Sequence, residues 1–166
     1  MRVDVRQGSL ALTMTLLSCA TAAPPPSAPS SLVGHEAPNI DRRALDGAPV
    51  STAALRGRTV LVEFFAEHCK PCMKSLPAVE QLRQSLPELT IVAVSEDEDP
   101  GVAERLKSQL ELGFPVVHDA GHVIAGRYRV SDLPATFVID AAGRVRWRGD
   151  RAHDADELRA VIDAIR

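Results

Sequence analysis

The chain is predicted to fold as one α/β domain behind an export segment and a linker, and three observations carry that prediction. Residues 59–65, 90–95 and 136–139 are short apolar runs with the length and make-up of strands in a sheet covered on both faces. Segments with helical spacing alternate with them, after Cys72, over residues 100 to about 111, and from about Asp154 onward. A chain of 166 residues, 45% hydrophobic and 25% charged, suffices for one core of ordinary size, so one folded domain is expected.

In chain order, the N-terminus comes first and reads as an export signal. Arg2 and Arg6 supply a positive start, and residues 9–18 form an apolar run too short to span a bilayer as a stable anchor. Two cleavages fit. Leu16-Leu17-Ser18-Cys19 resembles a bacterial lipoprotein box, which would remove residues 1–18 and leave Cys19 as the lipidated first residue; Ala20-Thr21-Ala22 offers a small-residue site that would remove Cys19. Lipidation is favoured because it accounts for the third cysteine without leaving a free thiol on a secreted chain. Residues 19–34 are rich in Ala, Pro and Ser, with too few large apolar side chains to offset the entropy of ordering. They are expected to be a partly extended tether; roughly 14 residues at about 3.3 Å each could reach about 45 Å. The folded domain is assigned to residues 35–166.

The strand at residues 59–65 runs straight into Cys69-Lys70-Pro71-Cys72. Two cysteines three positions apart at a helix start can reach disulfide geometry, and there the outer thiol meets unpaired backbone N–H groups and the positive end of the helix dipole. Pro71 suits the first helical position, where an N–H would have no intrahelical partner. Two thiols are also half of a tetrahedral zinc site, and His118 and His122 have the spacing of a finger's second half. Between Cys72 and His118 lie 45 residues, however, against about 12 to 15 in a compact finger. Residues 118–122 are therefore read as an exposed turn.

The later elements follow the same logic. The strand at 136–139 leads through Ala141-Ala142-Gly143 into a return strand, where Val145 and Trp147 alternate with Arg144, Arg146 and Arg148. One face is expected to pack while the arginines form a solvated edge that discourages strand addition. In the last helix Leu158, Val161, Ile162 and Ile165 share one face.

Taken in order, these motifs resemble the extracytoplasmic thioredoxin-fold proteins of the TlpA/ResA type, related to the AhpC/TSA proteins, over roughly residues 35–166. Ala37-Pro38-Asn39, Asp46-Gly47 and Val50-Ser51 are similar to that family's N-terminal hairpin. Val62-Glu63-Phe64-Phe65-Ala66 with the Cys-x-x-Cys resembles its active-site strand and helix; Ile91-Val92-Ala93-Val94-Ser95 with Glu96-Asp97-Glu98-Asp99 resembles its next strand and acidic loop. Leu133-Pro134-Ala135-Thr136-Phe137 resembles the segment carrying its cis-proline. Two departures bear on chemistry: His68 stands where most relatives have Trp, and Glu63 is an acid where many TlpA/ResA-like chains are neutral but thioredoxins carry a buried carboxyl.

The resemblance implies a central mixed sheet flanked by helices, with an N-terminal β-hairpin extension, and a thiol-disulfide oxidoreductase. Cys69, the outer thiol, is expected to be the nucleophile and Cys72 the resolving thiol. Lys70 and a protonated His68 would lower the Cys69 pKa, and Glu63, its own pKa raised by burial, could take the proton of Cys72. Pro134, if cis, would expose the Leu133 backbone to substrate; His68, Lys70, Pro71, Leu133 and Pro134 are the expected substrate contacts. The resemblance further implies protein substrates with thiols or disulfides and a membrane thiol relay as electron donor; the N-terminal sequence implies a periplasm-facing chain attached to the bilayer through a lipid on Cys19, or a soluble periplasmic one if the other cleavage is used. No cofactor or metal is expected, and a monomer is. A disulfide-forming oxidant and a metal-handling protein are the competing readings. Peroxidase chemistry is disfavoured by Ala66, which lies where peroxiredoxins have Thr or Ser. Nucleic-acid binding is disfavoured by a net charge of -3 and the lack of basic runs interleaved with aromatics.

Overall fold

The computed structural model describes residues 23–166. The expected signal segment, both cleavage sites and Cys19 fall outside the described residues.

Two short strands, β1 (Asp41–Arg43) and β2 (Pro49–Ser51), pair antiparallel as a hairpin. The core alternates β3 (Val60–Phe65), α1 (Cys72–Ser85), β4 (Thr90–Ser95), α2 (Pro100–Gln109), β5 (Val116–His118), α3 (Val123–Tyr128), β6 (Ala135–Ile139), β7 (Val145–Gly149) and α4 (Ala155–Ile165). The five-stranded sheet has the order β5-β4-β3-β6-β7. β3, β4 and β5 run parallel, whereas β6 and β7 join antiparallel. This is the mixed sheet with helices and an N-terminal hairpin that the resemblance implies.

Every residue of β3 is buried, as its unbroken apolar run requires of a central strand. Leu61 and Phe65 face the cluster formed with Leu76, Val79 and Leu82 of α1 and with Leu158, Val161 and Ile162 of α4. Val60, Val62 and Phe64 face the other side, against Ile40, Val50, Ile124, Tyr128 and Phe137. Strand parity then dictates where Glu63 points: between Leu61 and Phe65, onto the α1 face.

The return strand departs from the expected alternation. Val138 pairs with Trp147 but Ile139 pairs with Val145, so Arg146 is an extra residue on β7. Such a bulge turns the flanking side chains to opposite faces. Trp147 accordingly packs on the α1/α4 side and Val145 on the hairpin side. The arginines are also engaged: Arg144 donates to Gly34 O at 3.1 Å, Arg146 to Asp140 Oδ2 at 3.1 Å and Arg148 to Pro29 O at 3.0 Å.

Their partners show what covers the edge. Residues 25–35, most of them within the segment read as tether, run along β7: Ala28 N donates to Arg148 O at 2.7 Å, Gly34 N to Val145 O at 2.7 Å, and the Trp147 indole to Pro25 O at 3.1 Å. This stretch is held against the domain. Leu32 and Val33 pack half-buried against the hairpin-side cluster, and the backbone of the stretch meets the unpaired groups of an edge strand, which sequence composition does not reveal.

Candidate active site

β3 ends at Phe65, and a tight turn carries the chain into α1: Cys69 N donates to Ala66 O at 3.1 Å and Cys72 N to Cys69 O at 3.0 Å. Cys69 and Cys72 are disulfide-bonded. Cys72, the first residue of α1, is fully buried, while Cys69 is 6% exposed and lines a cleft. Cys69 Sγ accepts from the Cys72 N–H at 3.2 Å. That donor, shared with the Cys69 carbonyl, lies at the helix start, so a thiolate released at Cys69 would be met by a hydrogen bond and by the positive end of α1. Pro71 precedes the helix with αR geometry, and its carbonyl accepts from Lys74 N at 3.0 Å and Ser75 N at 3.1 Å.

The cleft has a volume of about 610 Å³, with His68, Cys69, Lys70 and Pro71 on one side and Val130, Ser131, Asp132 and Leu133 on the other. The Leu133–Pro134 peptide is cis. Pro134 is buried and Leu133 half-buried, so the residue presented to the cleft is Leu133. His68, Lys70 and Pro71 are exposed. Cys69, the motif residues around it and Leu133 are thus brought together, with Cys72 and Glu63 behind them.

Glu63 is fully buried and is paired in register with Thr136 of β6. Cross-strand partners point to the same face, so the Thr136 hydroxyl reaches Glu63 Oε2, donating at 2.6 Å. From above, Ser75, one turn into α1 from Cys72, donates to Glu63 Oε1 at 2.6 Å. Burial pushes the Glu63 carboxyl up to about 7, with the two hydroxyls opposing the rise. Such a group is half ionised near neutrality and can exchange a proton there. Sequence reasoning missed Ser75 and Thr136. The spacing of Ser75, three residues after Cys72 on the stripe that includes Leu76, Val79 and Leu82, was the available signal.

The third wall of the cleft is Glu96 and His122. His122 Nδ1 lies 3.1 Å from Glu96 Oε2, and burial raises the Glu96 pKa against that contact. Asp97 braces the cysteine turn, accepting from Glu67 N at 2.9 Å and from Ser95 Oγ at 2.9 Å. Residues 118–122 are therefore more than an exposed turn: His118 ends β5 with Nε2 at 2.8 Å from Asp97 O, and buried Asp119 accepts from Ile124 N at 2.9 Å and Ala125 N at 2.8 Å. Both histidines point to the acidic loop rather than to the cysteines. Among the described residues no group of three or more His, Cys, Asp or Glu is placed to hold a metal ion.

Known proteins resemble this chain in sequence and fold. The profile of the AhpC/TSA family matches residues 33–148. The thiol-disulfide oxidoreductase ResA of Bacillus cereus is 36% identical over 115 residues, spanning 68% of this chain and 66% of that protein. The thioredoxin-like protein YneN of Bacillus subtilis is 30% identical over 117 residues, 68% of each chain. Among solved structures, a secreted Mycobacterium tuberculosis disulfide oxidoreductase homologous to E. coli DsbE superposes with a TM-score of 0.70 at 28% identity, covering 75% of this chain and 95% of that one. A thiol:disulfide interchange protein of Chlorobium tepidum gives a TM-score of 0.72 at 24% identity over 84% of this chain and 100% of the other, a likeness of fold. With a matched region that takes in the hairpin, the Cys-x-x-Cys and the cis-proline strand together, the chain belongs to the AhpC/TSA family, on its thioredoxin-like side.

Proposed function

We propose that the protein is a thiol-disulfide oxidoreductase that reduces disulfides of other proteins outside the cytoplasm, those of apocytochrome c before haem attachment among them. The observation that carries this reading is the Cys69–Cys72 disulfide at the start of α1, with Cys69 opening on a cleft whose far wall is Leu133. In the reductive direction the Cys69 thiolate attacks a substrate sulfur, the substrate S–S bond breaks, and one substrate thiolate leaves with a proton from solvent. The Cys72 thiol then gives its proton to the Glu63 carboxylate and attacks Cys69 Sγ, which releases the second substrate thiolate and restores the internal disulfide. Two electrons pass to substrate per cycle. A membrane thiol relay returns them.

The location rests on the N-terminal sequence and on relatives that include a secreted protein. A lipid on Cys19 would hold the mature chain to a membrane on its periplasmic side; recovery of the native protein wholly in the soluble fraction, beginning at Ala23, would show that the other cleavage is used. Among the described residues no helix is long and apolar enough to cross a membrane. Among the described residues, the covered sheet edges support action as a monomer.

Insulin-disulfide reduction by two variants tests the assignment. Cys69→Ser should abolish turnover, whereas Cys72→Ser should accumulate mixed disulfides that nothing resolves. If Cys69→Ser were the variant that trapped partners, the two roles would be exchanged.

A further inference from the structure

Behind the cleft, three side chains from three elements form a closed polar cluster: Glu63 of β3, Ser75 of α1 and Thr136 of β6. All three are buried, Glu63 completely. Among the described residues, the influences on the carboxyl are burial and the two hydroxyls, with no charged side chain among them. Its other strand neighbour, on β4, is Ala93. Ser75 differs from Thr136 in having a second acceptor in view: its Oγ lies 2.6 Å from Glu63 Oε1 and 3.4 Å from the carbonyl oxygen of Cys72.

A hydroxyl has one hydrogen to donate and can serve one of these acceptors at a time. While Glu63 is ionised it is an acceptor only, and Ser75 must donate to it. Once Glu63 carries a proton it can donate to the Ser75 oxygen, which frees the Ser75 hydrogen to turn toward the Cys72 carbonyl. The state of the carboxyl is thereby passed to the first turn of α1, where the resolving cysteine sits.

We propose that Ser75, with Thr136, is a positioning residue for the resolving step: the two hydroxyls hold the Glu63 carboxylate to receive the Cys72 proton, and the Ser75 hydroxyl switches to the Cys72 carbonyl when that proton arrives. The step balances as written above, because the proton leaves Cys72 Sγ for Glu63 while the Cys72 sulfur bonds to Cys69 and the mixed disulfide breaks. This rests on the function proposed for the cysteine pair but not on its direction. It extends that reading to the pair of hydroxyls that sets the pH at which the acid works.

Reduced protein mixed with an aromatic disulfide that liberates a coloured thiolate tests it. Attack by Cys69 releases one equivalent, and resolution by Cys72 releases the second, so the two steps are read as two phases across a pH series. Ser75→Ala should leave the first phase unchanged, shift the pH midpoint of the second upward by roughly one unit, and slow it roughly tenfold below that midpoint, since loss of a donor makes the carboxylate harder to form. Ser75→Thr should restore both. Thr136→Val, on a different element, should shift the midpoint the same way, so a folding defect confined to Ser75→Ala leaves the test standing. In a Glu63→Gln background Ser75→Ala should add nothing further. An unmoved midpoint in both hydroxyl variants, or an equal slowing with and without Glu63, would overturn the proposal while leaving the cysteine assignment intact. Absence of a second phase in the wild type would overturn both.

Discussion

A carboxyl enclosed by a sheet and a helix, with only two hydroxyls to replace its water, is an expensive residue to keep. Glu63 titrates near 7 in the folded protein against an ordinary value of 4.5, so below about pH 4.5 it is protonated in both states and imposes no ionic cost. As pH rises through that interval the unfolded chain ionises first, and the folded state is progressively disfavoured, by about 3 kcal/mol above pH 7 as an order of magnitude. Glu63→Gln keeps the shape and removes the titration. Denaturant melts of the oxidised proteins should therefore show the Gln variant gaining on wild type between pH 5 and pH 8, while its resolving step slows most near neutrality. A stability difference equal at both pH values, with unchanged exchange rates, would show that the carboxyl is solvated. Gln or Leu would serve the core better, and that cost supports the proposed role of Glu63 in proton transfer. Sequence showed this residue by its position in an apolar strand; the spacing of Ser75 placed it on the buried stripe of α1 but did not single out Ser75 or Thr136 as partners, because neither is near Glu63 in the chain and hydroxyls are common on buried stripes.

Among the elements, most were legible and β5 and α3 were not. β3, β4, α1, α2 and α4 carry apolar runs or faces extended enough to register as a period. β5 has three residues and α3 six, too few for either period to emerge, and so the stretch around His118 and His122 read as a surface turn. What organises it is Asp119, 2% exposed, whose two carboxylate oxygens hold the first N–H groups of α3. A short helix cannot supply its own nucleation, and a buried acceptor of this kind substitutes for it. Asp119→Ala strands two buried donors and should cost about 3 kcal/mol on denaturant unfolding. Asp119→Asn, which keeps one acceptor oxygen, should cost clearly less. Equal losses would show that the carboxylate serves some purpose other than holding α3. The β7 bulge is a second feature hidden from pattern reading: strict alternation puts Val145 and Trp147 on one face, and one extra residue puts them on two. Gly149 closes that strand because a Cβ there would lie 2.5 Å from Trp147 Cη2 and 2.7 Å from His153 Nε2.

At the scale of the molecule, the chain ahead of β3 seals both edges of the sheet. Residues 25–35 cover β7, and at the opposite edge Leu45 N donates to Val116 O at 2.8 Å while Ala44 bridges Val117. Composition marked residues 19–34 as linker because it counts apolar side chains, whereas most of the polar contacts to β7 are made by backbone, with Leu32 and Val33 packed on the core. Removing residues 23–34 should leave the core folded but uncover β7, giving concentration-dependent association in light scattering and a red shift of the single tryptophan, Trp147, whose indole loses the Pro25 carbonyl. An unshifted, strictly monomeric deletion variant would mean that the contact is dispensable. With both edges covered, the end where β3 delivers Cys69 is where the proposed exchange with substrate proteins would take place. The direction of electron flow there depends on how strongly the reduced Cys69 thiolate is stabilised, which the Lys-Pro pair between the cysteines does not declare. Equilibration of the Cys69–Cys72 pair with glutathione measures it. A reductase of protein disulfides should give a potential near about −270 mV, and a value near about −120 mV would contradict that account by marking the pair as an oxidant.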